Sequence, residues 1–574
     1  MSLASILTTA GVGLADTQFQ IAVTNANVAN ASDPTYSRKT YASTSYVTQV
    51  SALSQGQVTR AANAYLARTV AQSTAASGRD AVIGQYLGQY DTALGSVGGT
   101  GDLSSLTGGL QSALSALAAS PDSASAKTQA LNAAAALATG LSGLSGQVQA
   151  LRTQADQQIG QVTAGVNGDL GKLASLNDQI VRTASAGGDV SDLEDQRDAA
   201  LTDLSSMIGV SSYVTADNRL VVYDEGGDLL LGSRAANLSY TPSSSLSATA
   251  TYPGQIGGIM LDGKDVTGAI RSGSLGGLIS LRDGALVGEQ AKLDQFADVM
   301  IGQTNAVAAK GAAYPPPNVL TSDVAVTAGD PFSGTGKVRV AVLGADGSVS
   351  AVQDIDLSAF TTVSGLMAAL NGVPGLSASI TASGRLQLGA TNPTSGVALA
   401  PLNSSVGSGG ASLPAWFGFN DLFSGTGAGD IKAAATATTL PTGALDASAG
   451  LAVGARGLAS GDATTVQNLG AALTAQVPFA AAGGFPAQTA TLQAYAAKVV
   501  SSAAQLASDA SSTATTSKNA ADYAKSSLQN ETAVNLDEEN TFLVQLQNQY
   551  AANAQLIAAA KDLFQVLLTM MQSA

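Results

Sequence analysis

The chain contains no cysteine and no histidine. Without cysteine there are no disulfide staples and no thiolate metal sites. Without histidine the commonest general acid–base side chain and the commonest metal ligand are both missing. These absences fit either a bias of composition or a chain that crosses compartments unfolded and must not crosslink on the way. Aromatic residues make up 5% of the sequence and there is a single tryptophan. Its cores must therefore be built from Ala, Leu, Val and Ile, and alanine favours helix while burying little. Basic residues are sparse: 26 Lys and Arg stand against 41 Asp and Glu, a net charge of −15. The longest basic run is the pair Arg38–Lys39. Binding to duplex nucleic acid, or to an anionic membrane surface, needs a basic footprint that this chain lacks.

No stretch approaches the roughly 20 apolar residues of a membrane-spanning helix. The first basic residue is Arg38, and Met1–Asn30 is amphipathic rather than continuously apolar. Neither a classical signal peptide nor a membrane anchor is expected. Gly334-Thr-Gly-Lys337 lacks the spacing of a phosphate-binding loop, and no dinucleotide fingerprint follows a strand. Asp224, Glu225 and Asp228 lack the alternating ligands of a calcium loop and read as a hairpin turn. The expectation is a chain with no catalytic, cofactor-binding or metal-binding residues.

The strongest pattern lies at the two ends. Leu3, Leu7, Ala10, Leu14, Thr17, Ile21, Thr24 and Val28 alternate in steps of four and three. Near the C-terminus Leu536, Glu539, Leu543, Leu546, Tyr550, Asn553, Ile557, Ala560, Phe564, Leu567 and Met571 obey the same rule. Such heptad stripes predict helices whose partners are helices. Asn535 or Asp537 can cap the second helix, and Glu538 and Glu539 suit the positive end of its dipole. Each helix could pack on its own local domain. Alternatively the two meet as a pair, and a long thin pair asks for neighbours to bury it. The residues expected at an assembly interface are Leu3, Leu7, Leu14, Ile21, Val28, Asn27 and Asn30 from the first helix. The second supplies Leu543, Leu546, Tyr550, Asn553, Ile557, Phe564 and Leu567.

At roughly 150 residues per domain, 574 residues suggest three to five domains. Helical patterns run from about Val58 to Leu94, over 103–119, over 124–184 and from Asp189 to Met207. In the last, Asp192-Leu-Glu-Asp-Gln-Arg-Asp198 reads as a solvated face with local ion pairs such as Glu194 with Arg197. After Ile208 the period falls to two, with strands at Val210–Val214, Leu220–Tyr223 and Leu229–Leu231 and more within 256–270. A long helix then runs from Gly273 to about Ala309. Tyr314-Pro-Pro-Pro317 marks a boundary. A Gly-, Ser- and Val-rich stretch follows, with strands at Lys337–Val342, Ser377–Thr381 and Arg385–Leu388. Trp416-Phe-Gly-Phe-Asn-Asp-Leu-Phe423 reads as an aromatic anchor. Helix returns over 486–534.

The stretch Asn25-Ala-Asn-Val-Ala-Asn-Ala-Ser-Asp-Pro-Thr-Tyr-Ser-Arg38 resembles the asparagine-rich N-terminal motif of the flagellar axial proteins, the rod, hook and hook-associated family. Val534-Asn-Leu-Asp-Glu-Glu539, Gln549-Tyr-Ala-Ala-Asn-Ala554 and Leu563-Phe564 resemble that family's C-terminal motif. The blocks at Asp192–Asp198, Gly273–Asp283 and Trp416–Phe423 resemble its hook-associated branch. Asp33 and Thr35 depart from the pattern, standing where the family usually has Thr and Gly.

The resemblance implies an α+β multidomain chain: a discontinuous terminal coiled-coil rod (1–40 and 535–574) and a helical body (41–207, 272–312 and 486–534). A small β-rich insertion (208–271) and an outer β-rich part (313–485) complete it. It further implies an extracellular structural role between hook and filament after export without a classical signal peptide. The implied partners are copies of itself in lateral and axial contacts, hook subunits, an adjacent junction protein and a cytoplasmic export chaperone on the C-terminal region. A hook or rod subunit, a secreted β-rich adhesin and, more remotely, a glycan-processing enzyme remain as alternatives.

Overall fold

The structure is a computed structural model that describes residues 3–48, 51–96, 98–99 and 101–572, with side chains for all of these except 43–48 and 51–55. The described chain opens with helix α1 (Leu3–Asn30) and an antiparallel hairpin, β1 (Lys39–Thr48) and β2 (Ser51–Arg60), in which Lys39 lies opposite Arg60. Four helices follow: α2 (Ala64–Leu94), α3 (Leu103–Ala119), α4 (Ala124–Ser185) and α5 (Ser191–Met207). The side chains of Asn63, Asp102 and Ser123 accept hydrogen bonds from the opening turns of α2, α3 and α4. A three-stranded antiparallel sheet comes next, β3 (Val210–Val214), β4 (Leu220–Asp224) and β5 (Leu229–Leu231). The chain returns to helix at α6 (Gly273–Ser280), passes through a π turn at Leu281–Ala285 and continues as α7 (Leu286–Ala308).

The outer part holds two antiparallel three-stranded sheets. In one, Lys337–Gly344 lies between Val349–Asp356 and Ser395–Ala400; in the other, Arg385–Ala390 lies between Leu376–Ile380 and Val319–Ala325. Helices α8 (Val363–Asn371) and α9 (Leu413–Phe417) share their core. Then come α10 (Thr464–Thr474), a short hairpin (Val477–Phe479 with Gln488–Ala490), α11 (Leu492–Thr532) and α12 (Leu536–Gln572). The α+β multidomain architecture expected from the pattern is the one observed.

Helix α4 runs unbroken through 62 residues, about 90 Å at the usual rise, despite its glycines. At three of them a neighbouring side chain stands where a Cβ would go, the Leu106 methyl lying 2.5 Å from that of Gly140. A Cβ at Gly160 would meet Pro242 at 2.7 Å, and one at Gly165 would meet the Met207 sulfur at 2.9 Å. Close packing thus gives these three a use against the roughly 1 kcal/mol a helical glycine costs, whereas Gly143, Gly146, Gly168 and Gly171 face open space.

The main core joins α2, α3, α4, α5, α6, α7, α10 and α11, and includes Tyr86, Leu141, Ile159, Phe296, Leu469 and Tyr495. A separate core fills the outer sheets around Leu320, Val340, Leu366, Leu399, Phe417 and Phe419.

Three expectations need correction. The helical pattern read from about Val58 begins only at Ala64, because Ser51–Arg60 pairs with Lys39–Thr48 as a hairpin. The Asp192–Asp198 face does not hold local ion pairs: Arg197 is buried and donates to the Asn218 carbonyl at 2.8 Å, while the acids reach across to Lys39 and Arg60. Within the span 313–485, Leu422, Phe423, Ile431, Leu440 and the apolar face of α10 lie in the core of the helical body, not in that of the outer sheets. A chain that leaves a helical layer and returns must cross it twice, and these residues are the return.

Candidate functional site

The two terminal helices pack against each other, antiparallel. Gln18 faces Tyr550, with the amide 3.4 Å from the phenol oxygen, and Asn27 faces Glu539. A Cβ at Gly13 would lie 3.1 Å from the Asn553 amide. The antiparallel sense follows, because rising numbers on α1 meet falling numbers on α12.

The heptad stripe accounts for what is covered. From Glu539 to Ala560, the residues Glu539, Leu543, Leu546, Tyr550, Asn553, Ile557 and Ala560 are buried or half-buried, and every residue between them is exposed. On α1, Leu3, Leu7, Leu14, Ile21 and Val28 are half-buried, and Ala10, Thr17 and Thr24 are buried. The covered strip on α1 is wider because the hairpin also packs on it, with Phe19 stacked on Tyr41 at 5.7 Å.

The two polar members of the C-terminal seam have separate explanations. Asn553 lies over the notch at Gly13. Glu539 is 1% exposed and accepts from Asn27 at 3.0 Å and from Arg38 at 2.6 Å. Asn27 is itself buried. Its amide nitrogen also donates to the Lys39 carbonyl at 2.9 Å, and its oxygen accepts from the Tyr36 hydroxyl and the Lys39 backbone N–H, each at 3.0 Å. Every hydrogen-bonding position of this side chain is used. Burial and the nearby charges of Asp195, Asp189 and Glu539 push the Tyr36 phenol up to about 12. The Asn535 side chain caps α12 by accepting from Asp537 and Glu538.

From Asn27 the polar network continues into the body. Ser37 donates to Asp195 at 2.5 Å, and Lys39 pairs with Asp192. Arg60 donates to Glu194 at 2.8 Å, Asp195 at 3.1 Å and Asp198 at 2.7 Å. Burial outweighs these anions at Lys39 and lowers its ammonium from the ordinary value. The turn after Pro34 needs no positive φ: the Asp33 carboxylate accepts from both the backbone and the hydroxyl of Thr35, which also lowers its own pKa. Sequence reasoning missed Arg38, Lys39, Ser37 and Arg60 as members of this clasp. The only signal was one short acidic block and a few distant cations.

Asn27→Ala is expected to cost about 2–3 kcal/mol locally, since it strands the Lys39 backbone N–H and the Tyr36 hydroxyl and leaves the buried Glu539 with Arg38 alone. Amide exchange at residues 24–30 and 537–543 should accelerate, with α4 unaffected. Equal protection in both proteins would remove Asn27 from the clasp.

Two groups of expected interface residues are not brought together. Asn30 is exposed and its amide bonds back to Ala26 of its own helix. Beyond Ala560, α12 outruns α1: Leu563, Phe564, Val566, Leu567, Leu568, Met570 and Met571 are each 46–79% exposed. Part of the helical run 492–572 is long and apolar enough to cross a membrane by length and composition, with mean hydropathy 1.3 over 18 residues, of which 6% are buried. The sequence reading did not anticipate this. Among the described residues no cluster of three or more acids could hold a metal ion.

The helical body carries a likeness to known proteins. The sequence model for the flagellar hook-associated protein FlgK helical domain matches residues 87–315. A second model, the C-terminal part of flagellar basal body rod FlgEFG proteins, matches residues 528–570, across the end of α11 and most of α12. Flagellar hook-associated protein 1 of Salmonella typhimurium is 33% identical over 172 residues, 28% of this chain and 30% of that protein. Its counterpart in Escherichia coli K12 is 33% identical over 158 residues, 26% of this chain and 28% of that protein. The match thus spans under a third of the length of these curated relatives. The solved structure of the flagellar hook junction protein FlgK from Burkholderia pseudomallei aligns with 80% of this chain and 99% of its own, at 18% identity and a TM-score of 0.49. The hook-associated match covers α3 to α7 together with the insertion at β3–β5, and the rod-type match covers the seam of α12.

Proposed function

We propose that this chain is a structural subunit of the bacterial flagellum that joins hook to filament and assembles through its terminal helices. The observation that carries the reading is the end of α12, where exposed Leu, Phe, Val and Met side chains spread over more than half of the helix circumference, with Lys561, Asp562, Gln565, Thr569 and Gln572 on the remaining face. An apolar arc that wide exceeds the seam one helix can bury and requires cover from more than one direction. One neighbouring helix cannot supply that, whereas a tube of laterally and axially packed copies can. The axial kinship of both terminal and body sequences supports a tube over a bilayer as the cover.

In this reading the paired termini line the inside, the α2–α7 and α11 body forms the next layer, and the outer sheets face away. The interface residues are Leu3, Leu7, Leu14, Ile21, Val28, Leu543, Leu546, Tyr550, Asn553 and Ile557 within the pair, with Asn27 at its base. Phe564 and Leu567 face neighbouring copies. The partners are further copies of the chain, hook subunits, an adjacent junction protein and, before assembly, a chaperone covering the C-terminal region. The location is the extracellular part of the flagellum, and the role is structural rather than enzymatic. The rod-type C-terminal match favours a rod or hook subunit as the second reading, and the hook-associated body argues for the first.

Removal of residues 534–574 tests the proposal. The shortened chain is expected to keep its helical circular dichroism, yet fail to restore filaments to cells that lack the full chain. Normal filaments from the shortened chain would refute it.

A further inference from the structure

Residues 418–423 tie the outer sheets to the helical body. Phe417 and Phe419 lie in the outer core, while Leu422 and Phe423 lie in the body core. Between them Gly418 and Asn420 take left-handed backbone conformations, with φ of 69° and 66°. The Asn420 amide donates to the Gly311 carbonyl at 3.0 Å, and Asn305 of α7 accepts from the Leu422 and Phe423 backbone N–H groups at 3.0 and 3.1 Å. Every connection here is neutral except one. The Asp421 carboxyl has an oxygen that is shut off from water and has no hydrogen-bond partner.

A second carboxylate stands beside it. A Cβ at Gly418 would lie 3.0 Å from Asp421 Oδ2 and 2.9 Å from the Asp323 Cβ, so the two aspartates crowd the same point. Asp323 belongs to the strand Val319–Ala325 and has a cation of its own: Arg385, on the neighbouring strand, donates to it at 2.6 Å. Asp421 has no such partner. The group facing it from α7 is the neutral amide of Asn305.

We infer that Asp421 carries a proton when the outer sheets are seated on the helical body, and that its ionisation beside Asp323 loosens this seam, making it a pH-sensitive hinge. The physical cause is that a desolvated carboxylate next to a like charge is costly, and the proton goes to whichever partner lacks a cation. Burial, then Asp323, push the Asp421 carboxyl up to about 7 from its ordinary value near 3.8, with Asn305 opposing. Because the folded value lies above the ordinary one, the seated form holds the proton more tightly. Its stabilisation is complete below the ordinary carboxylate value and is lost as pH rises through about 7.

The chain carries its own reporter. Trp416 is its single tryptophan, lies two residues before Gly418 and packs edge-on to Phe417 and Phe332 at 4.7 and 5.7 Å. Trp416 emission of the full chain, titrated across neutral pH, should shift with a midpoint near 7. Asp421→Asn should abolish the shift and hold the seated emission throughout. Asp323→Asn, which removes the like charge and leaves Asp421 in place, should move the midpoint to lower pH. A flat titration in the unaltered chain overturns the inference, as does an unmoved midpoint in either variant. The measurement reads a single chain and needs no polymer, so its outcome is independent of the assembly proposal.

Discussion

Arg282→Ala is expected to destabilise the helical body by about 3–5 kcal/mol, the range for breaking one side of a buried ion pair. Arg282 and Asp156 are both fully buried and bonded at 2.9 Å. The guanidinium also donates to the Tyr240 hydroxyl at 2.5 Å and to both oxygens of Asp283 at 2.8 and 2.7 Å. Its backbone carbonyl accepts from Arg152 at 3.0 Å, and Arg152 in turn holds the carbonyls of Ser247 and Ala250 at 3.1 and 2.7 Å. Asp156 accepts from the Ser243 backbone at 2.6 Å. One cation thus ties α4, the π turn and the insertion that follows β5 into a single network. The π turn, Leu281–Ala285, sits where α6 hands over to α7 and contains Arg282. Alanine would leave the Asp156 charge buried without its counterion. Urea denaturation followed by helical circular dichroism should show the loss. Arg234→Ala, at a side chain 80% exposed in a 3.5 Å pair, should change stability by no more than about 0.5 kcal/mol. The pair of changes Arg282→Met with Asp156→Leu should recover part of the loss, since the fully buried Asp156 charge is gone while the partly exposed Asp283 still lacks its cation. Equal small losses at Arg282 and Arg234 would contradict this account.

A chain ending at Ala560 should fold as well as the full chain and fail to polymerise. The seam between α1 and α12 runs to Ala560, which is buried, and the residues from 561 to 572 are exposed. Their removal should therefore leave thermal unfolding nearly unchanged and the Asn27–Glu539 contact intact. What it takes away is the apolar surface for neighbouring copies. Fully burying a Leu, Phe or Met side chain contributes about 1.5–3 kcal/mol, so losing several per subunit removes far more than a reversible polymer contact can spare. Sedimentation of purified protein and incorporation into filaments would both read the effect. Polymerisation at the normal concentration by the shortened chain would show that this end of α12 is not the contact. Melting at a clearly lower temperature would show that it supports the monomer instead.

The terminal helices were legible because a seven-residue repeat survives any fold that uses it. Each expected seam position from Glu539 to Ala560 is covered and none between them is. The same holds for the long helices of the body, whose Ala, Leu and Gln content is locally decisive. The hairpin Lys39–Arg60 was read partly as helix. Its strands carry the alternating Thr, Tyr and Val of a β pattern, but only their pairing with each other shows it. The acidic block at Asp192–Asp198 looked like a solvated face because its cations, Lys39 and Arg60, lie more than a hundred residues away in sequence. The buried Arg282–Asp156 pair left no trace either, since nothing in a helical pattern marks one arginine for burial.

The sequence by itself determined the classes of element, the heptad stripes that demand partners, and the absence of the side chains most chemistry uses. These are local or periodic properties, set by backbone preference and by which residues shun water. The tertiary structure alone decided that the two stripes meet antiparallel, that α12 outruns its partner, and which charges are paired out of solvent. Those depend on distances between residues far apart in the chain, and Coulomb and packing energies exist only once folding has set those distances.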